Sequence, residues 1–176
     1  MNEPVLRSVD FRGVATVTLN RPEVNNAYDG ALVQGLHDAM DELAARTALR
    51  AVVLRGAGRH FQAGADLKWI MQVKSQSVEE NERASRATAL AVHRLNTLPV
   101  PTLALVQGAC FGGGYALSGE RFGAQEARRI GLVHEVVPAA ELQAAGERMV
   151  DQLLQNAPEA NAQDQGGRAR VRVGRD

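Results

Sequence analysis

Apolar and polar positions alternate with two different periods along this chain, and the switches between them mark out the elements. Residues 5–11 (VLRSVDF) and 14–20 (VATVTLN) read as two strands, joined at Arg12-Gly13 in a plausible hairpin. Arg21-Pro22 ends the second strand, because proline removes a ladder donor. Asp29 is a suitable cap for a helix over 31–46, where Leu32, Leu36, Ala39, Met40 and Leu43 repeat on one face. Residues 51–56 (AVVLRG) form a short, mainly apolar run closed by glycine, which suits a buried parallel strand.

After a glycine-containing loop, the spacing predicts a helix over 78–98 with Ala84, Ala87, Leu90, Ala91 and Leu95 facing the core. Pro99 and Pro101 stop it, and PTLALVQG is the next buried strand. Beyond it, residues 122–130 read as a helix, 132–137 as a strand and 139–155 as a closing helix. Strands alternating with helices predict an α/β fold with a parallel sheet. Right-handed crossovers then bring the loops after the strands to one edge. From Asn161 onward, NAQDQGGRARVRVGRD has little apolar surface and is expected to be a disordered tail, dividing the chain into a domain over 1–158 and a tail over 159–176.

Composition narrows the function classes. Lys plus Arg equals Asp plus Glu at 20 each, so overall charge points to neither nucleic acid nor an anionic membrane. Aromatics make up only 4%, too few for a base-stacking surface. The N-terminus carries acids early and no long apolar run, so neither a signal peptide nor a membrane span is expected. Cys110 is the single cysteine, which excludes an internal disulfide and fits a reducing cytoplasm. The four histidines show no metal-ligand spacing, and no metal is expected.

The candidate chemistry lies in two loops. HFQAGADLK (60–68) follows a buried strand, and its small residues let a ligand approach the backbone at the Ala65 N–H. VQGACFGGG (106–114) leads into a helix start, where unpaired N–H groups favour negative charge. Two N–H groups can hold one thioester oxygen as it becomes an oxyanion, and losing one such donor typically costs about 3–4 kcal/mol. Neither loop has the Gly-Lys-Ser/Thr of a phosphate loop or the downstream acid of a dinucleotide fingerprint. His60 is expected to be structural and Cys110 to be a small buried residue, while Trp69 and Met71 pack along an acyl path or in the core.

NRPEVNNA (20–27), HFQAGADLK, VQGACFGGG and GERFGAQEARRIGLVHEVVP (119–138), in that order, resemble the enoyl-CoA hydratase/isomerase (crotonase) family. The resemblance covers nearly everything up to Pro158 and, in the first half, leans towards methylglutaconyl-CoA-hydratase-like members. It implies a crotonase-type spiral core of ββα units, here abridged after residue 118. It also implies coenzyme A thioesters as ligands, coenzyme A being part of the substrate and no separate cofactor, and usually a homotrimer or hexamer. By the same matching, Ala65 and Gly113 are the two oxyanion-hole donors. Val24, Ala27, Asp66, Leu67 and Lys68 line the path of the CoA, with Lys68 reaching towards the nucleotide phosphates as a point charge.

The departures are as informative. Hydratases of this family add water with two glutamates, one of them three positions after the second oxyanion glycine; here that position is Ala116. The loop carrying the other is absent, since Ser118 runs directly into sequence that normally follows roughly forty to fifty residues later, more than a trimmed surface loop. An arginine- and glycine-rich tail stands where the family's closing and trimer-forming helices are expected. Glu120 and Glu126 are the next acids, but Glu126 lies three residues before Arg129, the spacing of an exposed helix pair. The expectation is a member of fatty-acid or branched-chain acyl catabolism that acts on or binds a 2-enoyl-CoA, with impaired hydration. The alternatives are a non-catalytic acyl-CoA binder and a shortened product whose sheet is left with an open edge.

Overall fold

The computed structural model describes residues 3–111 and 123–155, and the backbone of 170–175. Strands β1 (Val5–Val9) and β2 (Val14–Leu19) form the expected antiparallel hairpin, with Val5 opposite Leu19 and Val9 opposite Ala15. β3 (Ala51–Gly56), β4 (Thr102–Val106), β5 (Glu135–Pro138) and β6 (Arg170–Arg175) complete a six-stranded sheet in the order β1-β2-β3-β4-β6-β5. Every pairing from β2 onward is parallel.

Period-two alternation sorts the strand residues onto two faces. Ala15, Val17, Leu19 and Val52 join Leu32, Ala39, Met40 and Leu43 of helix α1 (Gly30–Ala44) in one core. Val14, Ala51, Val53, Leu103 and Leu105 join Leu142, Ala145 and Val150 of α5 (Leu142–Gln155) in the other. Burying a Leu or Met side chain of this kind contributes roughly 1.5–3 kcal/mol, so the two clusters fix which way each strand faces. Helix α3 (Val78–Asn96) packs over α1, and a Ser77–Glu80 capping box starts it. α4 (Ala124–Arg129) leads into β5.

Three expectations need correction. A helix not foreseen, α2 (Leu67–Lys74), follows the first glycine-containing loop directly. It is only eight residues long and buries none of them, too short a stretch for its spacing to stand out from the loop before it. Leu90, placed on the core face of α3, is 45% exposed, and Ala91 is the residue of that helix that is buried. Finally, the arginine-rich tail, expected to be disordered, carries a strand. Arg170–Arg175 form a strand between β4 and β5, with Val106 opposite Val173 and Val136 opposite the same residue on the other side. The physical reason is the ladder: without β6 the apolar strand β4 would carry a row of unpaired backbone groups. The rest of the tail, and the region of Gly113, Ala116, Ser118 and Glu120, lie outside the described residues.

Candidate functional site

The three family-like segments that can be described all leave the C-terminal ends of adjacent parallel strands: 20–28 after β2, 57–66 after β3 and 107–111 after β4. Backbone hydrogen bonds then zip them together. Tyr28 N–H donates to the Gly64 carbonyl at 2.8 Å, and Asp66 N–H donates to the Tyr28 carbonyl at 2.9 Å. On the other side Gln62 N–H donates to the Ala109 carbonyl at 3.2 Å, and Phe111 N–H donates to the Gln62 carbonyl at 2.9 Å. The first loop therefore runs as a short central strand between the other two, bridged at Tyr28–Ala65 and Gln62–Cys110.

This pattern sets the direction of one particular N–H. In a parallel bridge a residue bonded to positions i−1 and i+1 of its partner leaves the N–H of position i pointing the other way. Tyr28 bonds to Gly64 and Asp66, so the Ala65 N–H is turned away from it and donates to no acceptor among the described residues. Gly64 makes the turn possible at φ +87°, a backbone conformation that side chains disfavour. Gly108 does the same for the second loop. A Cβ there would lie 2.5 Å from the Arg59 carbonyl oxygen, and its φ is +56°.

Side chains hold the frame. Asn26 is fully buried and ties its own segment to the next: its Oδ1 accepts from Arg21 N–H, and its Nδ2 donates to the carbonyls of Ala57 and His60, each at 2.8 Å. His60 is structural, accepting the Ala109 N–H on Nδ1 at 3.0 Å. The Arg21 guanidinium donates to the Ala27 carbonyl at 2.6 Å and meets Asp29 and Asp66, each at 3.1 Å.

Ala65 also lines a cavity of about 840 Å³ between α1, α2 and α3, whose walls include Tyr28, Leu32, Trp69, Ile70 and Thr88. That size and its mainly apolar walls fit a small-molecule site. The Tyr28 and Trp69 rings meet edge to face, 5.7 Å apart. A further cavity of about 930 Å³, around Gly13, Arg50 and Pro101, lies at the opposite end of the sheet, away from all three loops.

The remaining expected site residues fall around Ala65 in different ways. Ala27 is buried and Val24 sits in the preceding 3-10 turn, 36% exposed. The Asp66 carboxylate does not face outward for a ligand. It caps α2 by accepting from the Lys68 and Trp69 N–H groups. Burial works against its charge, but Arg21 and those two N–H groups outweigh it and hold the carboxyl below the usual range. Leu67 and Lys68 are exposed, and Lys68 has no ion pair among the described residues.

Cys110, expected to be buried, is exposed. Partial desolvation nonetheless raises its thiol pKa, so it stays protonated and a poor nucleophile at neutral pH. Glu126 pairs with Arg129 on the surface, as its spacing predicts. No group of three metal-ligating residues occurs among the described residues, and no helix there is long and apolar enough to cross a membrane.

An α/β sheet that presents, beside an apolar cavity, a backbone N–H with no acceptor among the described residues offers a group that can polarise a bound carbonyl. Residues 11–118 match the enoyl-CoA hydratase/isomerase family, and the chain belongs to it. It is 37% identical over 151 residues to a Thermus thermophilus protein named "Putative enoyl-CoA hydratase", covering 80% of this chain and 59% of that one. A hydroxycinnamoyl-CoA hydratase-lyase of Pseudomonas fluorescens is 29% identical, over 83% of this chain and 71% of the relative.

That second alignment runs over 196 positions while using 83% of 176 residues, so about fifty positions of the relative face no residue here. The same comparison with the Thermus protein, which stops at 59% of its length, leaves only about ten. The chain thus spans less than two thirds of its Thermus relative. Among solved structures, Pseudomonas aeruginosa AtuE superposes with a TM-score of 0.84 at 29% identity, covering 93% of this chain and 81% of that one. The crotonase-type fold expected from the sequence is therefore present.

Proposed function

We propose that this chain binds a 2-enoyl-CoA thioester, with the thioester oxygen at the Ala65 N–H and the acyl group in the adjoining cavity, and that it hydrates its ligand poorly. The observation that carries the reading is the Ala65 N–H, turned away from Tyr28 at the edge of an apolar cavity. The second donor of the hole is Gly113. Val24, Ala27, Asp66, Leu67 and Lys68 border the coenzyme A portion, through backbone and stems more than through the Asp66 carboxylate, which is engaged elsewhere.

The weak hydration follows from residue chemistry. Adding water across the double bond needs a group to take a proton from water and one to return a proton to carbon. Ala116 can do neither, and the stretch that would carry the second acid is absent from the sequence after Ser118. The fifty-position shortfall against the hydratase-lyase supports that absence. Each missing acid or base typically costs about 10²–10⁴-fold.

Two assays on the purified chain test the reading. Calorimetric titration with crotonyl-CoA is expected to show binding tighter than that of free coenzyme A, since only the former has a thioester oxygen. Loss of the enoyl absorbance is expected to be slow. Equal affinity for the two ligands would remove the oxyanion hole from the account, and rapid turnover would show that acids elsewhere enter the site.

A further inference from the structure

Asp29 and Asp66 are used in the same way, although 37 positions separate them in the sequence. Each caps a helix with Oδ1: Asp29 accepts from Leu32 N–H at 2.8 Å, and Asp66 from Lys68 N–H at 2.9 Å. Each turns Oδ2 to the same nitrogen, Arg21 Nη2, at 3.1 Å. The residues immediately before these caps are Tyr28 and Ala65, the two partners of the parallel bridge that aims the Ala65 N–H. The other guanidinium nitrogen, Nη1, holds the Ala27 carbonyl. All three side chains are largely shielded, with 18%, 23% and 15% exposure for Arg21, Asp29 and Asp66.

From this geometry we infer that Arg21 is a positioning residue for the thioester site: its guanidinium clamps the caps of α1 and α2 and so fixes the direction of the Ala65 N–H. The inference rests on the thioester reading above. Without Arg21, two shielded carboxylates approach each other with no cation between them, and like charges there repel. The caps separate, the Tyr28–Ala65 bridge loosens, and the donor no longer points at one place. Lysine is a partial substitute, because its ammonium is a point charge without the planar fork that reaches both carboxylates and a carbonyl.

The test compares the unaltered chain with Arg21→Gln, Arg21→Lys and Ser77→Ala. Ser77 caps α3 away from the bridge and serves as a control for simple loss of stability. Infrared difference spectra of bound butyryl-CoA, labelled at the thioester carbon, report how strongly the carbonyl is hydrogen-bonded. The unaltered chain is expected to lower the carbonyl frequency. Arg21→Gln should abolish most of that shift and weaken butyryl-CoA binding roughly ten- to a hundredfold, as a misplaced contact does. Free coenzyme A, which borders the same α2 cap but has no thioester oxygen, should lose less affinity in Arg21→Gln than butyryl-CoA does.

Arg21→Lys should fall between the two, and it replaces the glutamine variant if that one does not fold. Ser77→Ala should melt earlier with the carbonyl frequency unmoved. An unchanged frequency in a folded Arg21 variant overturns the inference. Amide exchange at Asp66, whose N–H bonds to Tyr28, reads the clamp without ligand. If the unaltered chain fails to shift the carbonyl, the thioester reading fails. Faster Asp66 exchange in Arg21→Gln than in Ser77→Ala would then still support the clamp, and equal exchange would overturn it.

Discussion

Tyr28 and Ala65 stand opposite each other in a single parallel bridge, and the hydrogen bonds on either side of Ala65 leave its own N–H facing away from Tyr28. The segment after β2 thus orients the Ala65 N–H on the segment after β3. A bound carbonyl gains from such an N–H because the dipole is already in place and needs no reorganisation when charge develops.

Enlarging the side chain at that donor should block the site without unfolding the protein. Ala65 is only partly buried and lines the cavity, so Ala65→Leu has room to turn into it. Butyryl-CoA affinity should fall by about tenfold or more, while any loss of stability stays within the roughly 1–3 kcal/mol of an added side chain. Titration of the variant beside a urea melt checks both parts.

Asn26 has the opposite profile. It is fully buried, and its amide serves one N–H of its own segment and two carbonyls of the segment after β3. Asn26→Ala strands all three, each at about 1–3 kcal/mol before relaxation and water entry. A net loss of about 2–4 kcal/mol in a urea melt is expected, with thioester binding lost as well.

Acid should loosen the same region. The Asp66 carboxyl lies below its ordinary range because Arg21 and the Lys68 and Trp69 N–H groups outweigh the effect of burial. An acid with a lowered folded pKa binds fewer protons folded than unfolded. Its stabilisation is therefore present above about pH 4 and is lost as pH falls through the folded value. Urea midpoints followed from neutral pH into that range should decline less steeply for Asp66→Asn than for the unaltered chain.

Much of this was legible beforehand, and the failures have distinct physical sources. β2, α1, β3 and β4 follow from periodicity because each buries a regular face, while α3, which buries only Ala91, is marked by its flanking breakers and its Ser77–Glu80 cap. Helix α2 is short and buries none of its residues, and its start is marked by the Asp66 cap, a signal that the reading of that stretch as loop passed over. Arg21 reads in sequence merely as the residue before a proline. Its two carboxylate partners are distant along the chain and meet only through the fold. Charge concealed β6: RVRV carries the period-two alternation of a strand, yet its arginines suggest solvation.

That strand supplies a further prediction. Neighbouring residues of β6 send their N–H groups to opposite sides, so Arg172→Pro and Val173→Pro each remove a donor towards one of β4 and β5. Either should cost about 3 kcal/mol or more. The variant facing β4 should speed hydrogen exchange at Leu103 to Val106, and unchanged exchange in both would mean that β6 does not hold that strand.

The most direct test of the proposed thioester site is a thermal melt of the full chain alone, with free coenzyme A and with crotonyl-CoA. A ligand present at a hundred times its dissociation constant stabilises the folded state by about 2.7 kcal/mol. The account predicts one cooperative transition that crotonyl-CoA raises well beyond any effect of coenzyme A alone. A transition that crotonyl-CoA moves no further than coenzyme A does would contradict it.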